Sequence, residues 1–391
     1  MISSFPVALR RLGPMALLAA TVCLSAIHRQ AQAEELRFPL LVPITGFLSL
    51  EGSSQRNGAL LAVREHRLPE GISLNTEVVD TGTSPEAAMT ALERVGSRSQ
   101  TVAVGASMLG TQMLAMLPLA AEYGLPLITV SGTAAITELG NPFVFRFFPG
   151  DAVTKQAHAR FVVEERKLTR PAIISQTTAY GQSGRTHLLA QFRRLGATVV
   201  HEEAIEPGVK DMLPVLSKAM ARNPDVLVLH LHSGPTALLI RQVAAMGITV
   251  PIVAGSAMHQ PSTAALLEPA ELKGVCAETA SSPVSGGSPA MERFTAAYRN
   301  AFGTDPDAFA LGQYDGTRMV LAALTKGART PSAVRDILAH QGYEGEAMSY
   351  RSDGKGNMAH SAMIICYDGN SRIPTIVKRY IDLASEAPPR S

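Results

Sequence analysis

The 391-residue sequence is poor in the features that mark several classes of protein. It contains no tryptophan, only 3 cysteines and 5% aromatic residues. Its 35 Lys and Arg residues nearly balance its 33 Asp and Glu residues, and no run of basic residues occurs. The chain therefore has no positive field that would hold nucleic acid or an anionic membrane. Beyond the first 33 residues, no apolar run is long enough to cross a membrane.

The first 33 residues have the three-part order of a secretory signal peptide. Arg10 and Arg11 form a short basic region, and residues 15–27 (MALLAATVCLSAI) are apolar and uncharged. Ala31-Gln32-Ala33 then matches the small-x-small pattern of a cleavage site. The alternative is a buried N-terminal helix. We interpret residues 1–33 as a signal peptide, because the apolar run is too short to span a bilayer comfortably, and expect a soluble protein in the periplasm.

Cleavage after Ala33 changes the composition of the chain. Residues 34–391 number 358, and the formal charge falls from +2 to −1 because the removed segment holds three arginines and no acid. This length is too great for one comfortable core and suits two lobes. Of the cysteines, Cys276 and Cys366 remain. We expect buried free thiols, with one disulfide as the alternative, because spacing alone does not fix their geometry.

Strand-like and helix-like segments alternate along most of the mature chain, in two series that meet near Arg146. Short runs typical of strands lie at 40–42, 76–79, 101–104, 127–130, 172–175, 198–201, 226–231 and 252–254. Helices are predicted at 57–65, from 84 onward, and at 111–123, 183–195, 212–222 and 236–246. Such alternation predicts parallel sheets covered by helices on both faces. The fold class is therefore α/β, with two doubly wound lobes.

The end of the chain breaks this alternation. Three further helices are predicted at 289–302, 311–327 and 331–340. Tyr350 and residues 361–367 flank a turn-rich segment and are typical of a hairpin-like pair. Segment 281–289 (SSPVSGGSP) is the best candidate for a linker, because it has nothing to bury. We expect this part of the chain to revisit both lobes, so that several crossings form a hinge.

No residue combination typical of an enzyme stands out. The sequence has no Gly-x-Ser-x-Gly motif, no phosphate-binding loop and no dinucleotide-binding glycine pattern. His230 and His232 alternate at a strand end, but no cluster of acids or cysteines lies nearby in sequence, so no metal site is expected. Ser107 is a candidate nucleophile without a recognisable partner base. We therefore expect no catalytic residues and no cofactor.

Several motifs follow one another in an order that indicates a known family. Pro43-Ile44-Thr45-Gly46 is followed by Gly52, Arg56-Asn57-Gly58-Ala59, Asp80 with Ser84-Pro85, Gly124-Leu125-Pro126-Leu127-Ile128, Phe145-Arg146, Tyr180-Gly181 and Tyr314-Asp315-Gly316. This ordered set resembles the periplasmic binding proteins of the leucine/isoleucine/valine type, the receptors of branched-chain amino acid ABC transporters. The resemblance implies two Rossmann-like lobes (periplasmic binding protein type I), joined by a three-crossover hinge and closing on a small ligand. Lobe I would comprise residues 34–147 plus 281–344, and lobe II residues 148–280 plus 345–391.

The resemblance also implies ligand-binding positions in two loops of the first lobe. Ser107 or Thr111 is expected to supply a hydroxyl group, although either residue could instead cap the following helix. In the next loop, Ser131 and Thr133 offer hydroxyl groups, and Ala135 stands where the family usually has threonine. Backbone N–H groups of this loop are expected to face a ligand carboxylate at a helix start.

The remaining implied positions lie in the second half of the chain. Tyr180 matches a tyrosine that closes over the ligand, with simple packing at a strand end as the alternative. His232 occupies a stretch where leucine-binding relatives often carry a tyrosine. Tyr314 matches an aromatic residue near the cleft, but it also fits the buried face of its helix. Ser256 falls where amino-acid-binding relatives place an acid that pairs with the ligand's ammonium group.

The serine at position 256 bears on the chemistry of the ligand. A buried ammonium group without a carboxylate partner is costly. Either another acid, such as Asp315 or Glu51, supplies that charge, or the ligand has no amino group. The second alternative is preferred, and the expected ligand is a small carboxylate or amide with an apolar or aromatic body.

We predict a solute-binding receptor of an ABC importer that captures a small amino acid, organic acid or amide by hinge closure. It is expected to be a monomer that docks on an ABC permease in the inner membrane and binds no nucleic acid and no metal. One alternative is a ligand-sensing module for a signalling partner. The other is an exported α/β hydrolase with Ser107 as its nucleophile.

Overall fold

The computed structural model describes residues 1–2 and 34–385. Apart from Met1 and Ile2, the predicted signal peptide lies outside the described residues. Within the part that is described, no helix has the length and apolar character needed to span a membrane.

The first half of the chain builds a parallel sheet with the strand order β4-β2-β5-β6-β7. The strands are β1 (Glu34–Arg37), β2 (Leu40–Val42), β3 (Ile72–Asn75), β4 (Val78–Asp80), β5 (Val104–Ala106), β6 (Leu127–Thr129) and β7 (Val144–Arg146), of which β1 and β3 form a separate parallel pair. The intervening helices are α1 (Ser49–Glu65), α2 (Pro85–Gly96), α3 (Gly110–Tyr123) and α4 (Ala135–Glu138). Every residue of β2 is buried, as expected for a strand whose sheet is covered on both faces.

The second half builds a seven-stranded sheet with the order β16-β15-β12-β11-β10-β8-β9. Its strands are β8 (Pro171–Gln176), β9 (His201–Ile205), β10 (Val226–His230), β11 (Ile252–Ala254), β12 (Val275–Thr279), β15 (Ala362–Cys366) and β16 (Thr375–Tyr380). Its helices are α5 (Asp151–Arg160), α6 (Ala179–Arg194), α7 (Leu213–Met220), α8 (Ser233–Ala245) and α9 (Pro261–Ala264). β8 to β12 are parallel, whereas β15 and β16 are antiparallel. Two doubly wound α/β units are thus confirmed.

Three late helices return to the first unit: α10 (Pro289–Phe302), α11 (Ala308–Thr325) and α12 (Pro331–His340). Leu61 of α1 and Phe294 of α10 belong to one hydrophobic cluster. A Cβ atom at Gly58 would overlap the carbonyl oxygen of Ala310, so the close packing of α1 on α11 requires glycine there. Tyr350 and Met358 also belong to the core of the first unit. We therefore propose that lobe I extends to about residue 359 rather than 344, and that the chain re-enters lobe II at β15.

The predicted hairpin between Tyr350 and residues 361–367 is wrong. Tyr350 lies in β14 (Ser349–Tyr350), which pairs with β13 (Tyr343–Glu344). β15 pairs instead with β12 on one side and with β16 on the other. The pairing with β12 joins segments far apart in sequence, and it buries Ile364 and Ile365 completely. No local turn signal reveals such a partner.

The expectation of free thiols is also wrong, because Cys276 and Cys366 form a disulfide. Cys276 in β12 lies directly opposite Cys366 in β15, and their Cα atoms are 4.0 Å apart. The strand register therefore sets the geometry that the spacing in sequence left open. The bond fastens the returning C-terminal segment to the second sheet.

Local capping signals explain several helix ends. Ser84 Oγ accepts a hydrogen bond of 3.2 Å from the backbone N–H of Ala87 at the start of α2, as its position before Pro85 indicates. Gly124 ends α3 in the left-handed conformation, with φ +62°. Helix α6 starts four residues before its predicted start at position 183, because Thr178 caps it. This earlier start places Tyr180 in the first turn of the helix.

Candidate functional site

A cavity lies between the two sheets, at the carboxyl ends of their parallel strands. Its volume is only about 20 Å³, so the two units are closed on a narrow space. The first unit contributes Leu48, Glu51, Met108 and Gly132, the second contributes Tyr180, His232, Ser256 and Ala257, and Phe148 and Phe309 complete the lining. The carboxyl ends of parallel strands are where open α/β sheets bind ligands.

Tyr180 and two histidines form an aromatic wall on the second unit. The ring centroid of Tyr180 lies 3.8 Å from that of His230 and 5.0 Å from that of His232. Phe47, from the first unit, lies with its ring centroid 5.5 Å from that of His232. Burial lowers the pKa of His232 to about 3, and it lowers the pKa of His230 well below its ordinary value. Both histidines are therefore neutral at neutral pH, and the wall offers ring surface without positive charge.

Among the described residues, Glu51 is the only carboxylic acid that lines the cavity. It lies in the first turn of α1. Its Oε1 accepts hydrogen bonds from the backbone N–H of Ser233 (3.0 Å) and from the Ser233 hydroxyl (2.6 Å), across the boundary between the units. Its Oε2 is buried and has no hydrogen-bond partner within residues 34–385. Burial raises the pKa of Glu51 more than the Ser233 hydrogen bonds lower it.

A second buried acid, Glu278, lies behind Ser256. The Ser256 hydroxyl donates to Glu278 Oε1 over 3.3 Å. Glu278 is completely buried in β12 and pairs with Lys155 and His158. Burial raises the pKa of Glu278, but Lys155 and His158 outweigh this effect, and the net pKa is lowered. The protein itself thus supplies the cation for Glu278. Glu278 is therefore not available to pair with a ligand's ammonium group in place of the acid that relatives carry at position 256.

The loop that follows β6 is held in place by Arg146. This arginine is completely buried and donates hydrogen bonds to the carbonyl oxygens of Thr133 (2.7 Å), Ser131 (3.4 Å) and Gly132 (3.4 Å). Burial lowers the pKa of Arg146 to about 10, which leaves it charged at neutral pH. The hydroxyl groups of Ser131 and Thr133 are buried without a hydrogen-bond partner among the described residues. Arg146 therefore positions a loop whose backbone borders the cavity at Gly132.

The structure brings part of the predicted site together. Tyr180, His232 and Ser256 line the cavity. Ser131 and Thr133 are the sequence neighbours of Gly132 but do not line it, and Thr133 borders a separate cavity. Their roles in ligand binding remain predictions.

The loop at 107–111, which is predicted to supply a hydroxyl group to the ligand, does not present one to the cavity. Ser107 Oγ donates to Gln112 Oε1 (2.5 Å) and accepts from the backbone N–H of Leu109 (3.0 Å), so its hydroxyl serves the loop itself. Neither of these partners is a base, and the geometry gives no support to Ser107 as a nucleophile. Thr111 is half-buried in the first turn of α3 and does not line the cavity. Met108 lines it instead, and presents an apolar side chain.

Tyr314 and Asp315 lie away from the cavity, in the core of the first unit. The Tyr314 hydroxyl donates to Glu65 Oε2 over 2.7 Å, and its ring packs on Phe294. Asp315 accepts hydrogen bonds from two backbone N–H groups of the segment before β14 and from the Tyr350 hydroxyl. The predicted role of Tyr314 at the cleft is corrected, because its alternative, the buried face of α11, is the observed one. Asp315 likewise does not supply the missing charge.

Ala135 borders a separate cavity, beside a second contact between the units. The backbone N–H of Ala134 donates to Ser183 Oγ over 2.9 Å. His187 Nε2 lies 3.8 Å from Glu138 Oε1, a distance that suits an ion pair and is too long for a hydrogen bond. Burial lowers the pKa of His187, but the Glu138 carboxylate and the Ser183 carbonyl outweigh it, and the net pKa is raised. When His187 is protonated, its ion pair with Glu138 stabilises this contact.

Comparison with known proteins agrees with this architecture. The sequence profile of a family described as periplasmic binding protein matches residues 35–367. The Leu/Ile/Val-binding protein BraC3 of Rhizobium johnstonii is 26% identical over 245 residues, which cover 62% of this chain and 66% of that protein, just under two thirds of its length.

Two solved structures share the fold at low sequence identity. The substrate-binding protein LivJ of Streptococcus pneumoniae, in complex with isoleucine, superposes with a TM-score of 0.80 at 20% identity and covers 88% of this chain and 99% of its own. A solute-binding protein of an ABC transporter from R. palustris, in complex with benzoate, gives 0.82 at 17% identity and covers 90% and 98%. These likenesses show the fold.

Proposed function

The chain belongs to the periplasmic binding protein family, and we propose that it is the ligand receptor of an ABC importer, capturing a small solute between its two lobes. Its homologues are solute-binding proteins, and the chain is not an enzyme. The observation that carries the proposal is the cavity at the carboxyl ends of both sheets. Leu48 and Glu51 line it from lobe I, and Tyr180 and His232 line it from lobe II. A ligand held there touches both lobes only when they are closed.

Closure is proposed to be driven by the ligand. Several hydrogen bonds cross between the lobes, among them Ser233 to Glu51, Ala134 to Ser183, Gln260 to Asp307 and Ala308 to His259. Such bonds contribute only about 0.5–1.5 kcal/mol each to a folded arrangement. A ligand shifts the equilibrium between the open and closed forms by its greater affinity for the closed form.

The walls of the cavity favour a ligand with a compact apolar or aromatic body. Leu48, Met108, Phe148 and Phe309 supply apolar surface, and Tyr180 supplies a ring face. Two proteins of the same fold hold isoleucine and benzoate, respectively. Both kinds of body are therefore compatible with the fold, and the side chains of this cavity decide between them.

We further propose that the mature protein acts in the periplasm as a monomer and delivers its ligand to an ABC permease in the inner membrane. The signal-like residues 1–33 support export. The formal charge of −1 on residues 34–391 gives no support to nucleic acid as a partner.

A thermal-shift screen of the protein that begins at Glu34 tests ligand capture. The protein is unfolded and refolded first, to remove any ligand carried over from expression. The panel contains leucine, isoleucine, valine and phenylalanine, their deaminated acids and small amides. A concentration-dependent rise in Tm with one of these compounds is the expected result. No shift with any compound would contradict the proposal.

Two variants of Tyr180 connect the binding to the cavity. Tyr180→Ala removes ring surface that faces the cavity, and we expect the Kd of the compound found in the screen to rise at least tenfold. Tyr180→Phe keeps the ring and is the matched control, with an expected change below threefold. Equal Kd values for the parent and Tyr180→Ala would place the ligand elsewhere.

Transport is tested by deletion of the gene in the bacterium that carries it. Loss of uptake of the identified ligand supports the importer. Intact uptake with loss of a cellular response to the ligand would support the sensing alternative instead.

A further inference from the structure

The carboxyl group of Glu51 is satisfied on one oxygen only. Oε1 receives both hydrogen bonds from Ser233, whereas Oε2 is buried and has no hydrogen-bond partner among the described residues. A buried carboxylate with an empty acceptor site costs free energy unless a cation or a donor approaches it. The unpartnered oxygen belongs to a residue that lines the ligand cavity.

In the part of the chain that the structure describes, no cation is available to that oxygen. The described residues that line the cavity include neither lysine nor arginine. His232 is neutral, because burial lowers its pKa to about 3. Lys155, the buried lysine on the lobe II side, pairs with Glu278 and lies 3.8 Å from Asp151. A positive charge beside Glu51 would therefore have to come from the ligand.

We propose that Glu51 binds a protonated primary amine of the ligand through Oε2, so that the ligand is a small amine with an apolar or aromatic body. The assignment rests on the proposed function, because it requires that the ligand occupies this cavity. It moves the acid that pairs with the ammonium group from lobe II, where Ser256 stands, to α1 of lobe I. It also reverses the preference for a deaminated acid, since a ligand carboxylate at Oε2 would repel an ionised Glu51 with no cation between them.

The same carboxyl group couples ligand binding to closure. Its Oε1 holds the first turn of α8 in lobe II through Ser233, while Oε2 would hold the ligand. An ammonium group that keeps Glu51 ionised strengthens the hydrogen bonds that Ser233 donates, because bonds to a charged acceptor are stronger than bonds to a neutral one. An amine ligand therefore stabilises the closed arrangement through a contact that it does not make itself.

Calorimetric titration of the refolded mature protein tests this inference. Leucine and phenylalanine are compared with their deaminated acids, 4-methylpentanoate and 3-phenylpropionate. Each pair differs chiefly in the amino group. We expect an amine to bind at least about 30-fold more tightly than its deaminated partner. Tighter binding of the deaminated acids would overturn the assignment, and no binding by any of these compounds or by small amides would count against the proposed function itself.

Two substitutions on the same helix provide the matched comparison. Glu51→Gln removes the charge in the cavity, and we expect the affinity for the amine to fall about 30-fold or more, as when a buried charge loses its partner. Glu65→Gln makes the same chemical change at the other end of α1, outside the cavity, and is expected to alter the affinity less than twofold. Unchanged amine binding in Glu51→Gln would overturn the assignment while leaving the proposed function intact. If Glu51→Gln does not fold, the preference of the parent between amine and deaminated acid decides the question.

Discussion

Removal of the disulfide between Cys276 and Cys366 should lower the free energy of unfolding, by an amount that depends on the length of the loop that the bond closes. The bond links residues 90 positions apart, and the loop between them contains α10, α11 and α12, which pack on lobe I. In the unfolded chain this link excludes many extended conformations. The chain-entropy relation gives about 4.6 kcal/mol for a loop of this length, and removal of native disulfides from small domains costs about 2–5 kcal/mol.

We expect the double variant Cys276→Ala/Cys366→Ala to lose about 2–5 kcal/mol of unfolding free energy relative to the oxidised parent. The pairing of β12 with β15 keeps its backbone hydrogen bonds in the variant, so the folded structure and the ligand affinity are expected to persist. Urea unfolding followed by far-UV circular dichroism is the suitable assay, because the chain has no tryptophan to report by fluorescence. The slope of free energy against urea concentration is expected to increase, since the unfolded variant exposes more surface.

The parent treated with reductant is the control and should match the double variant. Coincident unfolding curves for the oxidised parent and the variant would refute the reasoning. Two free thiols found in the unfolded, unreduced mature protein would refute the bond itself.

Three further predictions concern side chains on lobe I and at the contact between the lobes. Arg146→Met leaves the carbonyl oxygens of the loop after β6 without their buried donor, and calorimetric scanning should show a loss of about 3 kcal/mol or more in stability; an unchanged Tm would contradict this role. The ion pair of His187 with Glu138 should make ligand affinity depend on pH, because it joins the two lobes. The pKa of His187 is raised, so the ion pair is fully present below about pH 6.5 and is lost as the pH rises through the raised pKa. Titrations between about pH 6 and pH 8.5 should show this decline in the parent, and His187→Gln should flatten it. Tyr314→Phe removes the hydrogen bond to Glu65 and should cost about 1 kcal/mol of stability while leaving the ligand Kd unchanged. A changed Kd would indicate that Tyr314 takes part in ligand binding.

The features of the fold that depend on residues close together in sequence could be predicted. The serine before Pro85 caps α2, and Gly124 ends α3, because both effects depend on residues within one turn. Apolar runs such as 40–42 and 252–254 match observed strands for the same reason. The partners of late strands could not be predicted. β15 lies beside β12, and no residue near β15 carries a signal for that register.

The site divides in the same way. The places of Tyr180, His232 and Ser256 at the cavity could be predicted, because each follows a strand at the carboxyl edge of the sheet, in the order that the family resemblance implies. Their roles in ligand binding stay predictions. The roles of Glu278 and Arg146 were missed, since they depend on partners brought together by the fold. An acid inside the apolar strand β12 was the available signal for Glu278, because a buried acid of that kind requires a partner.

The sequence offers Glu51 as one of two acids that could pair with a ligand's ammonium group in place of the acid absent at position 256. The sequence could not choose between Glu51 and Asp315, since both are acids on helices of lobe I. The structure separates them by their partners. Asp315 accepts hydrogen bonds from backbone N–H groups and from Tyr350, whereas one buried oxygen of Glu51 has no partner among the described residues.

The crystal structure of the mature protein bound to the tightest ligand from the screen tests the central claim most directly. The account predicts one ligand molecule between the lobes, with its nitrogen about 3 Å from Glu51 Oε2 and its apolar body against Tyr180. A ligand that touches only one lobe, or that lies outside this cavity, would contradict the account.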